Sequence, residues 1–143
     1  MIDGRGVPTR VPPDLQGFAP GEAASFDMHR VALPEAPRDA HRRQVRVRRR
    51  DLDPLDHVNN SVYVDYFEEA LVAAGQAELV ATAPRRYVLD FAASAACDDL
   101  LTGHAWAHGG GWAYRLVRSG SDDGPDIFRA TVSPLSPGSI GRL

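Results

Sequence analysis

Polar and apolar residues alternate along "RRQVRVRRR", residues 42–50. Two valines, Val45 and Val47, fall on one side of an extended chain. The other side carries a polar residue at every second position: Arg42, Gln44, Arg46, Arg48 and Arg50. A period of two residues is typical of a strand with one buried face. The pattern predicts a first strand over residues 42–50 with a very basic outer row.

The spacing of apolar residues becomes helical between Ser61 and Ala74. A broad apolar stripe recurs every three or four residues and consists of Val62, Tyr63, Tyr66, Phe67, Ala70 and Leu71. Asn59 or Asn60 suits the N-cap position, and Gly75 suits the residue that follows the last turn. These signals predict an amphipathic helix of about four turns, roughly 21 Å long.

Alternation of period two returns after the helix, in residues 87–94, 100–108, 112–119 and 127–133. The predicted order is therefore one strand, one long helix and four antiparallel strands, an α+β arrangement. One helix cannot cover five strands unless the sheet wraps around it or pairs with another copy. We expect both, with a homodimer or a higher homo-oligomer as the assembled form.

The predicted elements define a single folded unit over residues 42–135. Residues 1–41 are rich in proline and show no sustained periodicity, so we expect an extended arm or linker there. Residues 136–143 are expected to form a flexible tail. A chain of 143 residues supports one compact domain of this kind.

Composition removes several classes of function. The formal net charge is −3 and there is no lysine, which excludes a Schiff-base lysine and a P-loop. Cys97 is the only cysteine, so no internal disulfide can form. No apolar stretch resembles a secretion signal or a membrane span, and we expect a cytoplasmic protein without membrane contact.

Titratable side chains concentrate just before the helix, in "DLDPLDHVNN", residues 51–60. N–H groups around Asn59 to Val62, at the positive end of the helix, could polarise a carbonyl oxygen. Asp53 is then a candidate base or nucleophile, and His57 a candidate for orienting water or that carboxylate. A plain capping turn would also explain part of this segment.

The same loop resembles the Asp-Leu-Asp-x-Asn-x-His-Val-Asn-Asn-x-x-Tyr segment of hotdog-fold thioesterases, most closely the fatty acyl-carrier-protein thioesterases. The matching positions are Asp51, Leu52, Asp53, His57, Val58, Asn59, Asn60 and Tyr63. The resemblance implies a hotdog fold and hydrolysis of an acyl thioester carried by acyl carrier protein or coenzyme A. It implies catalytic roles for Asp53, His57 and Asn60, and substrate contacts for Asp51, Asn59, Tyr63 and Ser94. It implies no cofactor. The N-terminal "MIDGRGVPTRVPPDL" resembles the exit from a first hotdog unit in two-unit members.

Two positions depart from the family pattern. Leu55 stands where the family has asparagine, and an ungapped reading places Ser94 where the family has a catalytic carboxylate. Asp90, Asp98 or Asp99 could replace that carboxylate in another register, and Cys97 could act as a thiolate. These departures predict impaired hydrolysis, and restoring Asn at 55 and Glu at 94 should raise it. The apolar face of Tyr63, Tyr66 and Phe67 should still bind a long acyl chain.

Other interpretations stay open at this point. A hotdog hydratase or dehydratase is one, since "DLDPLDH" partly resembles Asp-x-Asn-Pro-x-His, with one extra residue. A non-catalytic unit that binds acyl chains is another. Cys97, His104 and His108 lie close in sequence, but their spacing does not predict a metal site. The basic row of the first strand lacks interleaved aromatic residues, so we expect no nucleic-acid binding and favour an acidic carrier protein or coenzyme A phosphate as its partner.

Overall fold

The computed structural model describes residues 30–121 and 124–135. Five strands and two α-helices follow one another in these residues, with a short 3-10 helix before the first α-helix. The strands are β1 (His41–Arg46), β2 (Arg85–Phe91), β3 (Leu100–His108), β4 (Gly111–Arg118) and β5 (Phe128–Pro134). The helices are the 3-10 helix Arg49–Asp51, α1 (Asn60–Ala73) and α2 (Ala77–Ala81).

All five strands form one antiparallel sheet in the order β1-β3-β4-β5-β2. The strand that precedes α1 and the strand that follows it therefore lie at opposite edges, and the three later strands fill the centre. Strands β3, β4 and β5 are joined in sequence as antiparallel neighbours. The α+β class and the five-stranded sheet predicted from the alternation are confirmed.

Helix α1 begins and ends one residue earlier than the sequence pattern predicts. Asn59 is the N-cap, and its side-chain oxygen accepts hydrogen bonds from the Ser61 N–H and hydroxyl, each at 3.0 Å. Gly75 has φ +82°, a left-handed conformation that favours glycine at a helix end. The N-cap prediction at Asn59 and the stop at Gly75 are both confirmed.

The predicted strand over residues 42–50 is too long, because pairing with β3 ends at Arg46. Val47 instead exchanges backbone hydrogen bonds with Asp98 and Asp99, and the chain then turns into the 3-10 helix. Arg43 occupies the helix-facing side of β1, where its guanidinium donates to the Glu69 carboxylate at 2.7 Å. Strand β2 likewise ends at Phe91 and not at Ser94, and α2 was not predicted.

Aromatic side chains fill the space between α1 and the sheet. Phe67 stacks on Tyr114 with ring centroids 5.0 Å apart, and Tyr63 stacks on Phe128 at 5.5 Å. Tyr63, Tyr66 and Phe67 are at most 7% exposed. In the single chain the protein's own core therefore covers the helix face that was expected to bind a long acyl chain, and that binding stays a prediction.

The sheet face opposite α1 is partly covered by the strap, which we define as residues 30–40. Leu33, Ala36 and Ala40 pack against Trp106 of β3 and Ala113 of β4. The strap is the described end of the segment predicted as an arm, residues 1–41. The rest of that segment and the tail predicted over residues 136–143 lie outside the described residues.

Candidate active site

The loop that leads into α1 is a tight hairpin-like turn. Leu52 and Val58 form an isolated antiparallel bridge, and the Asp53 N–H donates to the His57 carbonyl at 2.7 Å. The Asp56 N–H donates to the Asp53 carbonyl at 3.1 Å, and Asp56 adopts a left-handed φ of 59°. Pro54 is suited to the second position of this turn because its ring fixes φ. The loop thus brings Asp53 and His57 face to face across the turn.

One oxygen of the Asp53 carboxylate organises the loop. Its Oδ1 accepts the N–H groups of Leu55 at 2.8 Å and His57 at 3.2 Å. The structure records no hydrogen bond from a described residue to the other oxygen, Oδ2. A carboxylate fixed through one oxygen presents the second in a defined direction, as a base or a nucleophile requires.

Asp51 connects the loop to α1. Its Oδ2 accepts the Arg48 N–H at 2.7 Å and the Tyr66 hydroxyl at 2.8 Å. Burial, followed by the hydrogen bond to Asp51, raises the pKa of the Tyr66 hydroxyl above its ordinary value. The side chain of Asp51 is only 13% exposed. Its observed contacts are therefore structural, and the substrate contact implied for it stays a prediction.

The start of α1 offers fewer donors than the sequence predicts. The Asn59 N–H donates to the Asp51 carbonyl at 2.9 Å, and the Val62 N–H donates to the Asn59 carbonyl at 2.9 Å. The Ser61 N–H is taken by the Asn59 side chain. Asn60 is the remaining one of residues 59–62, and its N–H donates to no acceptor in the described part of the chain. A carbonyl oxygen would thus meet one helix-terminal donor and not four.

Tyr63 ties the start of α1 to the segment that follows β2. Its hydroxyl accepts the Ala95 N–H at 3.0 Å, and burial raises the pKa of this hydroxyl. The ring is only 2% exposed, so it lies behind the loop and not on its surface. Ser94, the residue before Ala95, is exposed, and its carbonyl accepts an N–H of Arg118 at 3.2 Å. Tyr63 thereby brings Ser94 to the same end of the helix as the loop.

The carboxylates considered as replacements at position 94 differ in their surroundings. Asp90 points to the face opposite α1 and pairs with Arg129 at 2.6 Å. Asp99 accepts the Ala96 N–H at 3.0 Å and pairs with Arg118 at 3.2 Å. Asp98 has a left-handed φ of 68° and serves the turn before β3. Asp90 is therefore directed away from Ser94, whereas Asp99 lies near it, because the same Arg118 nitrogen contacts the Asp99 carboxylate and the Ser94 carbonyl.

Two residues that hold the site in place could not be predicted from the loop pattern. Tyr66 appears in the sequence only as part of the apolar stripe of the helix, yet its hydroxyl fixes Asp51. Arg118 lies at the end of a strand and contacts both Ser94 and Asp99. Such contacts join residues far apart in sequence, so no local spacing indicates them.

The remaining site features concern metals and membranes. Within residues 30–121 and 124–135, no three or more His, Cys, Asp or Glu side chains lie together as a metal would need. No helix in the described ranges is long and apolar enough to cross a membrane.

Comparison with known structures shows the fold. A hypothetical protein from Aquifex aeolicus has a TM-score of 0.53 and 17% identity, covering 67% of this chain and 98% of its own. A Staphylococcus aureus protein solved with coenzyme A has a TM-score of 0.53 and 12% identity, covering 73% of this chain and 94% of its own. A Thermus thermophilus thioesterase, solved with coenzyme A and zinc, has a TM-score of 0.50 and 24% identity, covering 68% of this chain and 80% of its own.

Sequence comparison identifies the family. Among curated proteins, no sequence matches the chain. The family model described as "Acyl-ACP thioesterase C-terminal domain" matches residues 34–116. The matched range is more than half of the chain and includes the loop, α1 and the strands up to β4. It confirms the resemblance inferred from the loop residues. The chain therefore belongs to the family of acyl-ACP thioesterase C-terminal domains, with the hotdog fold.

Proposed function

We propose that this protein hydrolyses an acyl thioester carried by acyl carrier protein, and that residues 53–60 carry out the reaction. The observation that supports this most is the arrangement of the loop. A carboxylate with one uncommitted oxygen, an exposed imidazole and an uncommitted helix-terminal N–H all lie within eight consecutive residues. Family membership supports the thioesterase class and the acyl-ACP substrate.

In the proposed reaction, Asp53 acts as general base. Its Oδ2 takes a proton from water while the water oxygen attacks the thioester carbon. The carbonyl oxygen gains negative charge and receives a hydrogen bond from the Asn60 N–H, at the positive end of α1. When the tetrahedral intermediate collapses, the C–S bond breaks, the sulfur leaves with the electron pair and the proton returns to it. His57 orients the water beside Asp53.

The departures at Leu55 and Ser94 imply slow turnover. Leu55 is 65% exposed at the tip of the loop and has no polar group to hold water or substrate. Ser94 has no carboxylate to act as a second base. A lost acid or base group lowers turnover by about 100-fold or more, so we expect rates well below those of an enzyme with both groups.

The arginines beside the loop suggest how the carrier is recognised. Arg48, Arg49 and Arg50 are exposed and directly precede Asp51, and Arg50 lies 3.8 Å from the Asp51 carboxylate. We call these three residues the arginine turn. Their guanidinium groups suit a phosphate or an acidic protein surface. Acyl carrier protein is favoured because it would present both the phosphate of its prosthetic group and an acidic surface at this turn.

Assembly and location belong to the same proposal. Strands β1 and β2 are the sheet edges, and β2 presents Val88 and Phe91 at 36% and 40% exposure. An exposed edge with apolar side chains suits pairing with a second copy, so we propose a homodimer joined through β2. Leu55 is an exposed apolar residue of the loop that is available to contact an acyl group. A single cysteine fits a cytoplasmic protein.

A second candidate function is favoured by the same two departures. A unit with Leu55 and Ser94 could bind an acyl carrier without hydrolysing its thioester. Turnover of acyl-ACP by the purified protein separates the two functions, because a binding unit releases no thiol above the buffer rate. Replacing Leu55 by Asn and Ser94 by Glu together should raise hydrolysis if the loop is catalytic.

The substrate assignment is tested by charge reversal. Arg49→Glu in the arginine turn should lower kcat/KM for acyl-ACP by roughly tenfold at low salt, since exposed charges act mainly through association rate. Arg38→Glu, an exposed arginine of the strap, is the matched control and should change kcat/KM little. Equal effects of the two substitutions would contradict docking at the arginine turn. Faster hydrolysis of acyl-CoA than of acyl-ACP would contradict the carrier assignment.

A further inference from the structure

The sheet face opposite α1 carries a row of basic residues. The register aligns Arg42, His104, Arg115 and Arg129 as direct neighbours across β1, β3, β4 and β5. Like charges opposite one another in adjacent strands repel and are destabilising. Anionic groups close to such a row relieve this repulsion. The row lies on the sheet face opposite α1 and is separate from the loop described above.

Two carboxylates pair with the arginines of β4 and β5. Asp126 pairs with Arg115 and lies 3.6 Å from Arg129, and Asp90 pairs with Arg129 at 2.6 Å. The buried Arg129 Nε still makes no hydrogen bond in the described part of the chain. Arg115 uses its Nε on Asp126 and its Nη2 on the Gly124 carbonyl. Its Nη1 has no acceptor among the described residues.

The strap encloses a cavity above this row. The cavity has a volume of about 360 Å³, within the range of small-molecule sites. One wall consists of Leu33, Pro34, Glu35 and Ala36 of the strap. Three of those four residues are apolar, and Glu35 is exposed. Arg42, His104 and Arg115 form the floor, with Asp126 beside them. His104 is only 4% exposed, whereas Arg42 is exposed at the edge of this floor.

We propose that this outer cavity is a second binding site, which takes a compact oxyanion with a short apolar body. Guanidinium groups bind the planar or tetrahedral oxygens of a carboxylate or phosphate in a fixed geometry. The apolar strap wall suits a few carbon atoms attached to that group. Butyrate combines the oxyanion with a short apolar body, whereas inorganic phosphate has no apolar body and acetate has only a methyl group.

The test is calorimetric titration of the full chain with phosphate, butyrate and acetate at constant ionic strength, with chloride as the balancing salt. We expect saturable binding of butyrate, with phosphate and acetate weaker because neither fills the apolar part of the cavity. Arg42→Gln should weaken the binding by roughly tenfold, because it removes one charged hydrogen-bonding partner. Arg46→Gln is the matched control, since Arg46 lies on the same strand face but outside the cavity.

A second readout locates the binding. The imidazole resonances of His104 should shift on addition of the anion, whereas those of His57 in the loop should not. Absence of saturable binding by wild type would overturn the proposal. Binding that Arg42→Gln and Arg46→Gln weaken equally, or that leaves His104 unchanged, would also overturn it. Because acyl-ACP hydrolysis is measured separately, failure here leaves the loop assignment unaffected.

Discussion

Replacing Tyr114 by phenylalanine should stabilise the protein, although Tyr114 lies at the centre of the core. The side chain is fully buried, and its hydroxyl makes no hydrogen bond in the described part of the chain. Its ring stacks on Phe67 and lies directly over Gly103. Removing the hydroxyl keeps the stacking and removes only the uncompensated polar group.

The magnitude follows from two opposing terms. A buried hydroxyl without a partner costs about 1–3 kcal/mol in protein mutational data. The oxygen atom also makes a few dispersion contacts, each about 0.1–0.2 kcal/mol, which the substitution loses. We therefore expect Tyr114→Phe to raise the free energy of unfolding by about 1 kcal/mol, and the melting temperature by a few degrees.

The matched control is Tyr63→Phe, which deletes the same atom from another buried tyrosine in the same core. The Tyr63 hydroxyl accepts the Ala95 N–H at 3.0 Å, so its removal leaves a donor unsatisfied and should cost about 1–3 kcal/mol. Urea unfolding followed by circular dichroism measures both changes. A loss of stability in Tyr114→Phe as large as that in Tyr63→Phe would refute the reasoning.

Three further predictions concern the core and the loop. Asp51→Ala should lower the free energy of unfolding by about 2–3 kcal/mol, measured in urea, because the Arg48 N–H and the buried Tyr66 hydroxyl lose their acceptor; an unchanged midpoint would contradict this. Gly103→Ala should cost about 1–3 kcal/mol by thermal unfolding, since its methyl carbon would lie 2.2 Å from the Tyr114 hydroxyl; full stability would show that the ring moves freely. The free energy of unfolding should fall as pH rises past about 10. Burial raises the pKa of Tyr66 and Tyr114, so the native state keeps protons that the unfolded chain loses. A free energy of unfolding that stays flat from pH 9 to 11 would contradict that sign.

The sequence predicts most of the fold because the relevant signals are local. Val45 lies on the helix side of its strand as the alternation predicts, and Asn59 and Gly75 mark the ends of α1 through cap chemistry. The end of β1 was mispredicted because Val47 continues the alternating pattern. Its hydrogen bonds go to Asp98 and Asp99, some fifty residues away, and the sequence pattern does not indicate them.

The candidate site was predicted less completely. The identity of the loop residues followed from their spacing, and the structure does bring Asp53 and His57 together. The Asn59 side chain accepts the Ser61 N–H, and the Asn59 N–H donates to the Asp51 carbonyl. The sequence does not indicate these contacts, so it overestimates the number of backbone N–H groups at the start of α1 that are left for a substrate. The row of basic residues across the outer face depends on strand register, which joins Arg42, His104 and Arg115 from separate strands.

The most direct test of the central claim is turnover of an acyl-ACP thioester by Asp53→Asn. The Asp53→Asn variant is compared with wild type. The substitution is also introduced into the Leu55→Asn/Ser94→Glu background, so that slow rates stay measurable. The control is Asp56→Asn, which changes an exposed carboxylate of the same loop. The account predicts wild-type hydrolysis above the buffer rate, a loss of about 100-fold in Asp53→Asn with an almost unchanged melting temperature, and little change in Asp56→Asn. Full turnover by Asp53→Asn, or equal losses in Asp53→Asn and Asp56→Asn, would contradict it.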